Sequence, residues 1–244
     1  MVTALAVVAA TAAGLIYALV APSTVHSQSP GASATRMAMP VASQVLPPSL
    51  FPGLIRTAQP MVVHSAAIWA TTVEEAHPPA PEAARLHRLG FVAGVDEHLN
   101  ARFPSQAQAI SIVEQYRSAA AARTELAYQR TRDLSAPAGA GQKLTLLRAI
   151  GIPGATGWEV RGAQFIGLNV MFSSGPSYYL VGAGFTPGTH KAPTTAEVIA
   201  GAQFLYLLVH RCVSPAASGR DGWPGATWDP AQGRIVNGLT RDPR

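Results

Sequence analysis

The chain has 244 residues, 48% of them hydrophobic and only 13% charged, with 22 Gly and 20 Pro. At roughly 100–200 residues per domain this is one domain with tails, or two small ones. The formal charge of +5 rests on arginines scattered from Arg36 to Arg244, without the clustering or interleaved aromatics of a phosphate-tracking surface, so no nucleic-acid partner is expected. Cys212 is the single cysteine, which excludes an intramolecular disulfide and any Cys-rich zinc or iron–sulfur site.

Val2 to Ala21 is a run of twenty residues without a charge. At about 1.5 Å per residue it would just cross a hydrocarbon core of roughly 30 Å. Two readings stand: an uncleaved transmembrane anchor, favoured by the length, or a signal peptide cut near Val25-His26-Ser27. The membrane is thus an expected partner through residues 2–21. Residues 22–60 hold seven Pro and six Ser and no acid, the composition of a linker. Glu74 is the first acid, and a folded domain is expected over 61–212, followed by a Gly/Pro-rich tail, 213–244, of loop or disorder.

Within the domain, Met61 to Ala70 fits a strand or a helix edge equally. Pro81 to Leu89 carries Pro and Glu82 early, Arg85 and Arg88 late and Gly90 at the stop, which predicts a short helix. Ala109 to Tyr116 is rich in β-branched residues and partly alternating, a strand, after which Ser118 caps an Ala-rich helix to about Asp133. Lys143 to Arg148 alternates, and Ile152 to Ala155 is a turn. Ile166, Leu168, Val170 and Phe172 alternate with smaller or polar residues up to Ser173-Ser174-Gly175-Pro176, and Tyr178 to Ala183 returns apolar, so a β-hairpin spans about 164–184. Thr194-x-x-Glu197 is a capping box. It opens a helix over about 195–211 that is apolar nearly all round, with Val198, Ala202, Leu205 and Val209 on its inner stripe. The fold class that follows is α+β, an antiparallel sheet with the hairpin packed against two main helices, about 118–133 and 195–211.

This order of elements, with the IPGA turn, the Asn169-Val170-x-Phe172 strand, the Tyr178-to-Gly182 return strand and the helix through Ala202 to Tyr206, resembles uncharacterised membrane-anchored or secreted domains of actinobacteria. It is similar in layout to mycobacterial lipoproteins with a PsbP-like fold. The resemblance covers roughly Gln106 to Arg211, implies an α+β sandwich outside the cytoplasm, and carries over no catalytic residue.

The constellations that could carry chemistry are incomplete. Gly182, Gly184 and Gly188 miss the dinucleotide fingerprint, since the third Gly is one residue late and the following helix starts only at Thr194. Ser173 and Ser174 sit in a hairpin turn, not on a strand-to-helix elbow. His87, Asp96 and His98 lack a recognised metal-ligand spacing and read as a helix end and a solvated loop. Glu159 is the one acid between Asp133 and Glu197, too few for paired-carboxylate chemistry there. No catalytic residue, metal or cofactor is therefore assigned. Tyr178, Tyr179 and Trp158 are the candidates to touch a ligand, with sheet packing as the plainer role. The expected function is a non-catalytic envelope domain binding a partner protein or a small apolar ligand, placed at the cell membrane facing outward, or else secreted. The alternative is an extracytoplasmic hydrolase assembled from distant His, Ser and Asp. It would need His87, His98 or His190 within hydrogen-bond reach of both an acid and a nucleophile.

Overall fold

Alternating side chains dominate the middle of the chain, and they build a sheet covered on both faces. The computed structural model describes residues 39–102, 106–135, 139, 141–148, 150–212, 226–229 and 234–237. The strands of the sheet are β1 (Leu54–Arg56), β2 (Met61–Val63), β3 (Phe91–Ala101), β4 (Ala107–Tyr116), β5 (Lys143–Leu146), β6 (Thr156–Arg161), β7 (Ile166–Ser174) and β8 (Ser177–Phe185). Their order is β1-β3-β4-β8-β7-β6-β5, with β2 pairing further along β3, and every pairing is antiparallel. The helices are α1 (Ala66–Thr72), α2 (Pro79–Leu89), α3 (Ala119–Ser135) and α4 (Thr195–Cys212). The expected α+β class, with its antiparallel sheet and two main helices, is therefore observed; α3 and α4 lie on opposite faces. No helix among the described residues is long and apolar enough to cross a membrane.

Local chemistry explains most boundaries. Prolines occupy the first turn of α2, and Gly90 ends it at φ 75° with its N–H on the His87 carbonyl, the left-handed stop that glycine adopts cheaply. The Ser118 hydroxyl accepts from Ala121 N at 3.1 Å. In the capping box, Thr194 Oγ1 accepts from Glu197 N at 3.2 Å, and Glu197 accepts from Thr194 N at 2.7 Å, satisfying two of the otherwise orphaned N–H groups of α4. The β7–β8 turn is Gly175-Pro176, with Gly175 at φ 54°.

The period-two alternation sorts the sheet into two cores. One face carries Val95, Leu99, Val113, Val170, Phe172, Tyr179 and Val181 under Val198, Ala202, Leu205 and Val209 of α4. The other carries Tyr116, Trp158, Met171 and Tyr178 under α1, α2 and α3, with Trp69, Leu86 and Ala122 as the main contributions from the helices.

The folded unit reaches further toward the N-terminus than the expected start at residue 61. Val41, Leu46, Phe51 and Leu54, inside the stretch read as linker, are buried in the α4-side core. Glu97 explains why this proline-rich segment is held. One of its oxygens accepts from Leu46 N at 2.7 Å, the other binds the Arg56 guanidinium, and Arg56 in turn donates to Leu46 O at 3.0 Å. Tyr179 Oη donates to Gln44 Oε1 at 2.5 Å from the same face. Asp96 to His98, read as loop, lies instead in the long strand β3. In the tail, Ala226–Asp229 (β9) pairs antiparallel with Arg234–Asn237 (β10), where loop was expected. The apolar run 2–21, residues 22–38 and the rest of the tail lie outside the described residues.

Candidate functional site

Two arrangements on the α1–α3 side carry charged groups, and they share α3. The first starts from a missing side chain. Gly94 on β3 stands directly opposite Glu114 on β4, and Glu114 stands opposite Tyr178 on β8, which stands opposite Ser173 on β7. The Trp69 ring fills the space a Cβ at Gly94 would take. Its indole N–H thereby reaches Glu114 Oε1 at 2.7 Å. Tyr116, two residues along the same face, donates to Glu114 Oε2 at 2.5 Å.

Above this carboxyl lies a closed network from the helices. Arg85 of α2 forks onto both Glu82 and the buried Glu125 of α3, and its guanidinium lies 3.8 Å from the centre of the Tyr128 ring. Gln129 donates to Glu125 at 2.8 Å and to Glu74 at 3.1 Å, and Arg132 donates to Glu74 at 2.7 Å. Burial pushes the Glu114 carboxyl well above the usual range, and the charges of Glu125 and Glu74 add to that push. Burial also pushes Glu74 up. There the Arg132 guanidinium, with hydrogen bonds from Arg132, Glu114 and Gln129, outweighs it and leaves Glu74 below its ordinary value. The two carboxyls are thus pushed apart, Glu114 toward its protonated form and Glu74 toward its ionised form beside Arg132. Such a pair could serve as acid and base. Yet Glu114 and Glu125 are fully buried and spend their oxygens on Trp69, Tyr116, Arg85 and Gln129, so the network is closed to a substrate.

The second arrangement is open. A groove of about 380 Å³ runs between α3 and the sheet's rim, lined by Arg123, Leu126, Ala127 and Arg130 of α3, Pro153 and Gly154 of the turn before β6, and Ser173 at the end of β7. The volume falls at the lower end of small-molecule sites. Arg123 and Arg130 are seven residues apart, two helical turns on nearly one face, with Ala127 as a low point between them. Gly154, at φ 72°, completes the far wall, and a Cβ there would meet nothing within 4 Å. Among the described residues neither Arg123 nor Arg130 has a hydrogen-bond or ion-pair partner. A second hollow of about 340 Å³ near the start of α4 is bordered by Glu159 and Arg161, which neutralise each other through an Nε–Oε1 contact of 2.7 Å.

The residues singled out from sequence are placed as follows. Trp158 and Tyr178 are buried beneath α3, and Tyr179 is buried on the opposite face, stacked on Phe172 with centroids 4.7 Å apart. None of the three lines the groove. His98 Nε2 and Asp96 Oδ2 meet at 2.9 Å on the surface of β3. The bond to Asp96 raises the His98 pKa against partial burial. His87 lies in the last turn of α2. Among the described residues no group of three His, Cys, Asp or Glu is placed to hold a metal ion, and none of His87, His98 and His190 hydrogen-bonds both an acid and a nucleophile. Gly182 and Gly184 lie inside β8, where Asn169 and the Phe165 ring lean over them; they form no phosphate loop. Sequence reasoning passed over Glu114, although the alternation of Ile110, Ile112, Glu114 and Tyr116 puts that acid on an inward face. It also passed over the i, i+7 pair of Arg123 and Arg130.

No family model matches the chain, and no curated protein matches it. A solved structure similar to it is the extracellular domain of PknH from Mycobacterium tuberculosis, 11% identical over 70% of this chain and 95% of that one, with a TM-score of 0.48.

Proposed function

We propose that the chain is a non-catalytic binding domain held at the outer side of the cytoplasmic membrane by residues 2–21, with the groove along α3 as its binding site. One contrast carries the binding part of this reading. The carboxylates and the tyrosine able to do acid–base work are sealed and spent on one another, whereas the groove presents charged groups that no described residue satisfies. A hydrolase would need the reverse, a reactive group in the cleft and its supports beneath. The location rests on the twenty-residue apolar run. Seventeen residues separate Ala21 from Met39, so the folded unit stays within about 60 Å of the bilayer.

Topology is tested in spheroplasts of a bacterial host making the full chain with a C-terminal tag. External protease is expected to remove the tag while a cytoplasmic marker survives. Complete protection until the membrane is permeabilised would place the domain inside and overturn the location. Recovery of the tag in the medium with residues 2–21 absent would show a secreted protein in place of an anchored one.

A further inference from the structure

We infer that the α3 groove takes a small phosphate monoester with an apolar body, the phosphate held by Arg123 and Arg130. The inference rests on the binding-domain reading and names its ligand class. It also departs from the small apolar ligand that, beside a partner protein, is the expected occupant.

Three observations on the groove lead there. Two guanidiniums face one hollow with no acid among the described residues to neutralise either, so an occupant must supply negative charge to gain from the pair. The count of charges selects within anions. A carboxylate carries one charge, which a single bidentate arginine satisfies. A phosphate monoester carries close to two and offers three terminal oxygens, enough for both arginines and the Ser173 hydroxyl on the opposite wall. The floor selects the remainder of the ligand. Leu126, Ala127 and Pro153 expose carbon, and Gly154 opens the wall at their level, so a ring or short chain beside the phosphate leaves water when it docks. Arg85 and Arg132 on the same side cannot take this role, because each is already bound to carboxylates within the closed network.

The test is isothermal titration of the full chain, carried in phosphatidylcholine nanodiscs, with phenyl phosphate as the probe. Benzoate, benzyl alcohol and inorganic phosphate are the comparators. Phenyl phosphate is expected to bind at least about tenfold more tightly than each of them, since they lack a charge, the anion or the apolar body. Arg123→Gln and Arg130→Gln should each weaken it about tenfold or more and Ser173→Ala about threefold, while Arg88→Gln on α2 leaves it unchanged. All four positions are solvent-facing or half-exposed, so unchanged thermal midpoints verify that the variants fold. Equal affinity in the two groove arginine variants and the unaltered chain overturns the proposal. So does benzyl alcohol or benzoate binding as tightly as phenyl phosphate. Failure here is read on purified protein, whereas failure of the location is read by protease in cells, so the two are separable.

Discussion

Gly94→Ala tests how the α1–α3 side is assembled. The added Cβ would stand 2.4, 2.5 and 2.6 Å from Cζ3, Cη2 and Cε3 of Trp69, about 1 Å inside ordinary carbon contact. The ring has little freedom to yield. It is fully buried, tilted against Phe91 at a centroid distance of 5.7 Å, and tied to Glu114 at 2.7 Å. Overpacking of this kind costs about 1–3 kcal/mol. A retreat of about 1 Å would also stretch the indole bond beyond use, leaving a buried carboxyl oxygen short of a donor for a further cost of about 1–3 kcal/mol. The sum is about 2–6 kcal/mol, or a drop of roughly 4–24 °C in thermal midpoint at roughly 2–4 °C per kcal/mol. Circular-dichroism melts and urea titrations measure it. Gly154→Ala is the comparison: its φ of 72° brings strain but its Cβ meets open space, so about 1 kcal/mol is expected. In a Trp69→Ala background the Gly94→Ala change should cost at least about 2 kcal/mol less than in the unaltered chain. A loss below about 1 kcal/mol, or the same loss in both backgrounds, would refute the account of Gly94 as the seat of the indole.

Glu114→Gln should flatten the fall of stability with rising pH. The raised carboxyl of Glu114 retains a proton that the unfolded chain releases above about 4.5, so its contribution declines as pH rises from there toward its folded value. The contribution of Glu74, whose pKa is lowered, is present above about 4.5 and lost as pH falls through its folded value, and it should survive in the variant; urea midpoints at pH 5 and pH 8 read Glu114, and a further series at pH values below about 4.5 reads Glu74. His98 should titrate above 6.5 by NMR, with its stabilisation full below that pH and lost as pH rises through the folded value, and Asp96→Asn should bring the midpoint down. Glu97→Ala strands Arg56 and frees Leu46 N, at a cost of about 3–5 kcal/mol. Limited proteolysis is expected to cut between Met39 and Phe51 before the sheet unfolds, and resistance there would contradict the role given to Glu97. Thr194→Ala removes the reciprocal cap of α4 and should cost about 1 kcal/mol in the same melts.

The elements legible in the sequence are those whose signals are local. The capping box at Thr194, the Ser118 cap, the Gly90 stop and the alternation of β7 and β8 need no distant partner to be recognised, and each boundary falls within a few residues of its sequence signal. What escaped notice depends on partners far along the chain. Asp96, Glu97 and His98 look like a solvated turn until Arg56, 41 residues earlier, is seen to neutralise Glu97 inside the core. Residues 39–56 bury Val41, Leu46, Phe51 and Leu54 at spacings that match neither a helix nor a strand, so composition alone made them a linker. Tyr178, Tyr179 and Trp158 drew attention as aromatics, yet strand parity sends neighbouring tyrosines to opposite cores.

The two charged arrangements are physically joined through α3. Its inner stripe buries Ala121, Ala122, Glu125 and Gln129, which offers little apolar area to fix the helix against the sheet. Directed polar contacts do that instead: Glu125 to Arg85, Gln129 to Glu74 and Arg132 to Glu74 set both the rotation and the height of the helix. Rotation of α3 by one residue would exchange the paired Glu125 for the neighbouring Leu126 and leave Arg85 facing carbon, a substitution the buried charges would resist by several kcal/mol. The same constraint fixes where Arg123, Ala127 and Arg130 stand on the outer stripe, and so where the groove presents its guanidiniums. A closed ionic network beneath an open basic groove is therefore one device seen from two sides. The inner charges hold the helix in register, and the outer ones remain unspent because Glu125 is turned inward to Arg85 and Asp133 is taken by Arg132.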